Sequence, residues 1–109
     1  MPKGNFLGEL EQLLLLAILQ CADDAYGLAI QRAMRAAGRA LELPTIYTTL
    51  ERLEEKGMVT SVLGGETPVR GGRKKRMFKV EGAGRTALDE AENMRKRLQF
   101  RVKPEYAQS

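Results

Sequence analysis

The chain has 109 residues, 43% hydrophobic and 29% charged, which fits one folded domain and argues against wholesale disorder. No His, no Trp and a single Cys exclude the commonest general base, an intrachain disulfide, a cysteine zinc cluster and a wide aromatic cage, and they demand an aliphatic core. Eighteen Lys plus Arg against 14 Asp plus Glu give +4, compatible with a nucleic-acid partner but weak evidence for one.

The first predicted helix runs from about Gly8 to Cys21, with Leu10, Leu13, Leu14, Ala17, Ile18 and Cys21 at three- and four-residue spacing. Leu15, Leu16 and Leu19 widen that stripe nearly all round. A helix so apolar needs cover on two sides, which places part of it, including Leu13 and Leu16, in a subunit interface. Ala22-Asp23-Asp24 breaks the pattern with capping residues. A second helix carries Tyr26, Ile30, Ala33, Met34 and Ala37 and ends at Gly38. Leu41 to Leu43 is a short extended link. Pro44 opens a third helix, since a first turn needs no amide donor, and the helix stops at Gly57 after Lys56.

Beyond Gly57 the period changes. Met58 to Leu63 is β-rich, and Arg76 to Val80 alternates with Phe78 and Val80 on one side. Gly64 to Lys75, with four Gly and one Pro, reads as the long tip of a hairpin. A charged helix follows from about Gly82 to Phe100, and Val102 to Ser109 is expected to fray. The longest apolar run, Leu13 to Leu19, falls well short of the roughly 20 residues a membrane span needs. Glu9 and Glu11 do not suit an export signal, so the expected address is the cytoplasm.

The charge is concentrated. Arg70, Arg73, Lys74, Lys75, Arg76 and Lys79 face one acid, Glu66, within residues 64–80, so this segment alone carries +5 and the remainder sums to −1. Basic side chains of one sign on a projecting element suit an anionic polymer. Gly71 and Gly72 beside the arginines let backbone approach a phosphate closely. On helix three, Ile46, Leu50 and Leu53 form the expected buried stripe. Thr45, Thr48, Thr49, Arg52 and Lys56 share another face, expected to be exposed, while Glu51, Glu54 and Glu55 are expected to point away from it. Threonines and an arginine on one face can donate to phosphates and touch base edges. Tyr47 lies between the two faces, and both core packing and a phosphate contact stay open for it.

Three helices and a basic hairpin compose a winged helix-turn-helix, in which the third helix lies in the major groove and the wing reaches a neighbouring groove or the backbone. The fold class expected is mainly α with a β-hairpin: a winged helix-turn-helix over residues 1–81, a C-terminal dimerisation helix over 82–101 and a frayed tail over 102–109.

Gly8-Glu9-Leu10-Glu11-Gln12-Leu13, Ala25-Tyr26-Gly27, the block from Ile46 to Gly57, Arg70-Gly71-Gly72-Arg73 with Lys74-Lys75-Arg76, and Gly82-Ala83-Gly84 resemble the PadR family of bacterial transcriptional regulators over roughly residues 6–100. The helix-three block followed by the Gly-Gly-Arg wing is the specific part; the leucine-rich first helix is not. The resemblance implies a homodimer, made by the last helix, that binds an operator in double-stranded DNA and usually represses transcription. The single final helix resembles the short subfamily. Some short relatives capture flat drugs with an aromatic residue on that helix. Here it offers only Phe100, with Arg95 and Lys96 in its middle, so multidrug sensing by ring stacking is not supported. A small-molecule inducer stays open and unidentified.

Ala87, Ala91, Met94 and Leu98 recur at a seam-like spacing on the last helix, with acids in its first half and bases in its second, an order that suits an antiparallel partner. Cys21 reads as an inert buried thiol, Tyr26 as packing, and Met34, Met58, Met77 and Met94 as gap-fillers. No nucleophile motif or phosphate-binding Gly-Lys-Ser/Thr loop is present, so no catalytic residue, metal or cofactor is assigned. The competing reading is a winged-helix adaptor for protein or RNA without operator specificity.

Overall fold

A computed structural model describes residues 7–66 and 74–106, in the order α1 (Glu9–Cys21), α2 (Gly27–Ala36), α3 (Leu43–Glu55), β1 (Val59–Glu66), β2 (Lys74–Val80) and α4 (Gly82–Phe100). α1 starts at Gly8, whose amide donates to Glu11 Oε1 at 2.8 Å, the half of a capping box that needs no side chain on the cap residue. α1 buries Leu14, Leu15, Ala17 and Ile18. It ends in a 3₁₀ turn, Ala22–Asp24, entered through Ala22 at φ 55°.

α2 and α3 form the helix-turn-helix. The intervening turn needs Gly38 at φ 104°, a left-handed conformation that glycine adopts without a Cβ penalty. Gln31 Nε2 donates to Leu41 O at 2.8 Å and holds the link. α3 begins one residue earlier than expected, at Leu43, with Pro44 still inside the first turn. Ile30 and Met34 of α2 meet Ile46, Leu50 and Leu53 of α3 and the leucines of α1 in one core, almost wholly aliphatic, with Phe78 as its buried aromatic.

β1 and β2 pair antiparallel, with Val59 opposite Val80, Ser61 opposite Phe78 and Leu63 opposite Arg76, and the register shifts between Leu63 and Glu66. The ladder reaches further than the expected hairpin: Gly64, Gly65, Glu66, Lys74 and Lys75 are strand, because a bulge absorbs the glycines without ending the pairing. The expected tip residues Arg70, Gly71, Gly72 and Arg73 lie outside the described residues. Phe78 and Val80 turn inward as the alternation predicts. Phe78 N donates to Ala25 O at 2.8 Å and Tyr26 bridges to Met77, so the hairpin is bolted to the start of α2.

α4 leaves the hairpin at Glu81 and buries only Gly84 and Ala87 before running outward. Pro104–Tyr106 form a 3₁₀ turn where fraying was expected. No helix among the described residues is long and apolar enough to cross a membrane.

Candidate nucleic-acid interface

Helix α3 presents part of the expected face. Thr45, Thr48 and Arg52 are exposed and line a shallow recess with Pro44, against Leu10 of α1. Thr49 borders the same recess from its buried side. It is 3% exposed, and its hydroxyl donates to Thr45 O at 2.9 Å, one turn back. A threonine buries its methyl and satisfies its own hydroxyl in this way, so the buried stripe is wider than Ile46, Leu50 and Leu53. Lys56 is also drawn off the face: its Nζ lies 2.8 Å from both carboxylate oxygens of Glu11. With Thr49 on the buried side, the line opposite it runs through Thr48, Glu51 and Glu55. All three are exposed, so two of the acids stand beside Thr48 instead of behind it. Glu54 alone turns inward, half-buried, to accept from Ser61 Oγ at 2.9 Å.

The hairpin brings its cations beside this helix. Arg76 Nη1 donates to Ser61 Oγ at 2.9 Å, completing a chain from the hairpin through Ser61 to Glu54 of α3. Lys75 Nζ sits 3.9 Å above the centre of the Tyr26 ring, a cation–π contact that holds an ammonium without neutralising it. Between hairpin, α3 and the start of α2 lies an open groove of 780 Å³, walled by Tyr26, Leu28, Tyr47, Glu51, Lys75 and Arg76 among others. Tyr47 leans its ring toward Phe78 with centroids 6.4 Å apart, yet remains 40% exposed. Its hydroxyl end lies where a Cβ on Gly27 would stand. Tyr47 therefore packs its ring and still shows an edge to the groove. Lys74 lies in β2.

Arg32 and Arg35 on α2 are exposed as well, and with Leu28 they recur opposite the buried Ile30 and Met34. Arg39 is paired with Glu9 at 3.3 Å.

Of the residues expected in a subunit interface, Leu16, Met94 and Leu98 are exposed, at 53%, 50% and 66%. Leu13 and Ala91 are half-buried, Leu13 against the domain's own core. Ala87 is a correction: it is 5% exposed within the single chain, because α4 docks through Gly84 and Ala87 and can turn outward only after them. Arg95 holds the next turns against α1, donating to Gln12 Oε1 and Glu92 Oε1 at 2.9 Å each. The Cys21 thiol is half-buried, and its pKa is raised first by burial and then by the negative charge of Asp24, which suits an unreactive thiol.

A family model described as the transcriptional regulator PadR-like family matches residues 15–90. Among solved structures, a PadR family transcription regulator from Clostridium difficile superposes with a TM-score of 0.65 at 26% identity, covering 82% of this chain and 90% of that one. A PadR family regulator from Eggerthella lenta does so at 0.64 and 26%, covering 83% and 79%. A PadR-like transcription factor from Bacteroides fragilis reaches 0.66 at 23%, covering 82% of each chain, and shows the shared fold. No curated protein matches the chain in sequence.

Proposed function

The chain belongs to the PadR-like family of transcriptional regulators, and from that premise we propose that it is a sequence-specific binder of double-stranded DNA acting as a homodimeric repressor. Residues 1–81 are the DNA-binding unit and residues 82–101 the dimerisation helix. The observation that carries the reading is that α3 exposes Thr45, Thr48 and Arg52 along one flank, while its other flank, through Tyr47 and Glu51, shares a groove with Lys75 and Arg76 of the hairpin. In this reading α3 enters the major groove, where hydroxyls, a guanidinium and threonine methyls meet base edges. Tyr47 lies beside the sugar-phosphate backbone. Arg70, Arg73, Lys74, Lys75 and Arg76, with Gly71 and Gly72 allowing close approach, bind phosphate or line a minor groove.

The test is affinity against salt concentration for the wild type and for Arg73→Ala with Lys74→Ala. Phosphate contacts release counterions, with a slope of about −0.9 per phosphate neutralised. A dimer carries two wings, so the double variant flattens the slope by up to roughly four units. The loss is similar on every sequence, because phosphates carry no base identity. Arg52→Ala, by contrast, changes which sequence is selected. Parallel salt lines for wild type and double variant overturn the role of the wing. Equal affinity for structured RNA and duplex DNA at matched salt favours an adaptor without operator specificity.

A further inference from the structure

We propose that Glu51 is a base-reading residue that selects cytosine at one position of the operator, an inference that rests on the DNA-binding reading above. Three observations converge on it. The buried stripe of Ile46, Thr49, Leu50 and Leu53 fixes the opposite face of α3, and Glu51 stands there one turn after Thr48, exposed. Its carboxylate makes no hydrogen bond or ion pair among the described residues, whereas Glu54 on the same helix is spent on Ser61. It also lines the groove shared with Lys75 and Arg76, so two cations lower the cost of bringing a carboxylate to DNA.

An ionised carboxylate only accepts hydrogen bonds. In the major groove guanine shows two acceptors and thymine one acceptor with a methyl, and both repel it. Adenine offers its N6 amino group, but with the N7 acceptor beside it. Cytosine offers an N4 donor flanked on its own base by C5–H, whereas the adenine donor has an acceptor on each side in the pair, so cytosine is the base a glutamate on this face accommodates. Thr48, one turn earlier, then reads the neighbouring step.

Selection from a random duplex library by the wild type, Glu51→Ala and Glu51→Gln tests this. The wild type selects a position occupied by cytosine. Glu51→Ala becomes indifferent there, losing a discrimination of roughly 5- to 150-fold, while preferences at other positions persist. Glu51→Gln moves the preference at that position toward adenine, because a carboxamide donates to N7 and accepts from N6. Circular dichroism confirms that both variants fold, as expected for an exposed site. Retention of the wild-type preference by both variants overturns the proposal. So does uniformly tighter binding of both to all sequences, which marks Glu51 as mere repulsion. A wild type that selects no sequence overturns the operator-binding reading itself, a result distinguishable from either of these.

Discussion

Glu11 is an acid buried to 5% exposure among the leucines of α1, and its surroundings account for it completely. One carboxylate oxygen accepts the Gly8 amide, and both oxygens meet Lys56 Nζ at 2.8 Å. The pair joins the first turn of α1 to the end of α3, so it fixes the pitch of α3 against α1. Removing one member of a buried pair leaves the other desolvated and uncompensated, which costs several kcal/mol, whereas removing both is far milder. Lys56 is 19% exposed and keeps some hydration when Glu11 is removed. Glu11→Leu is therefore expected to destabilise the fold by about 3 kcal/mol, the low end for such pairs, and Glu11→Leu with Lys56→Met by clearly less. Urea unfolding midpoints at constant slope measure both. A double variant as unstable as the single one would show that the pair is not an independent unit. In the sequence Glu11 is one of two acids opening a helix, and its partner lies 45 residues away. Spacing along one helix carries no information about such a partner.

At the scale of elements, the helices were legible because their buried stripes repeat and glycines mark their ends. Gly38 and Gly57, at φ 104° and 76°, terminate α2 and α3 where the sequence places them. The face of α3 was legible only in part. Apolar residues define a stripe centre, but Thr49 and Lys56 sit at its margin, where a self-satisfied hydroxyl and a distant carboxylate decide which way each turns. The hairpin is longer than its glycines imply: Gly64 and Gly65 suggest a turn, whereas paired backbone tolerates them at a bulge. Gly84 shows what a glycine does when it is not a turn. A Cβ there would come within 2.6 Å of Met58 O and 2.9 Å of Val80 Cγ1, so α4 crosses the end of the hairpin in close contact. The carbonyl of Met58 is already engaged by the Glu81 amide at 2.8 Å and cannot retreat freely. Gly84→Ala is thus expected to cost about 1–3 kcal/mol, the usual penalty of overpacking, despite the better helix propensity of alanine. Thermal unfolding decides the sign: a more stable variant means that α4 shifts at no cost.

At the scale of the molecule, the chain extends 58 × 34 × 21 Å. Beyond Ala87, Leu88 still packs against the core and Arg95 reaches Gln12 of α1, while the last turns project past them. Met94, Leu98 and Phe100 are 50%, 66% and 89% exposed, and Leu16 on α1 is 53% exposed. A 19-residue helix that buries one end and presents apolar residues along the other is poorly stabilised alone, since helix stability in proteins comes chiefly from packing. The charge order adds a direction. Asp89, Glu90 and Glu92 precede Arg95, Lys96 and Arg97, so a second copy running antiparallel sets opposite signs against each other. Arg95 already engages Gln12 and Glu92, which holds α4 against α1 and keeps Met94 and Leu98 available. The proposed homodimer through α4, with Leu16 at its border, would cover these residues and would place two copies of α3 and the hairpin on one duplex. The expected light-scattering mass at micromolar concentration is twice that of the chain. Met94→Asp with Leu98→Asp yields monomers that keep the circular dichroism of α1 to α3 but lose thermal stability and operator affinity together, because each monomer keeps one reading head and loses the avidity of two. The double variant leaves the hairpin charge intact, so binding to arbitrary DNA at low salt survives. A wild-type mass of one chain would remove the dimer, and with it the expectation of a two-fold operator.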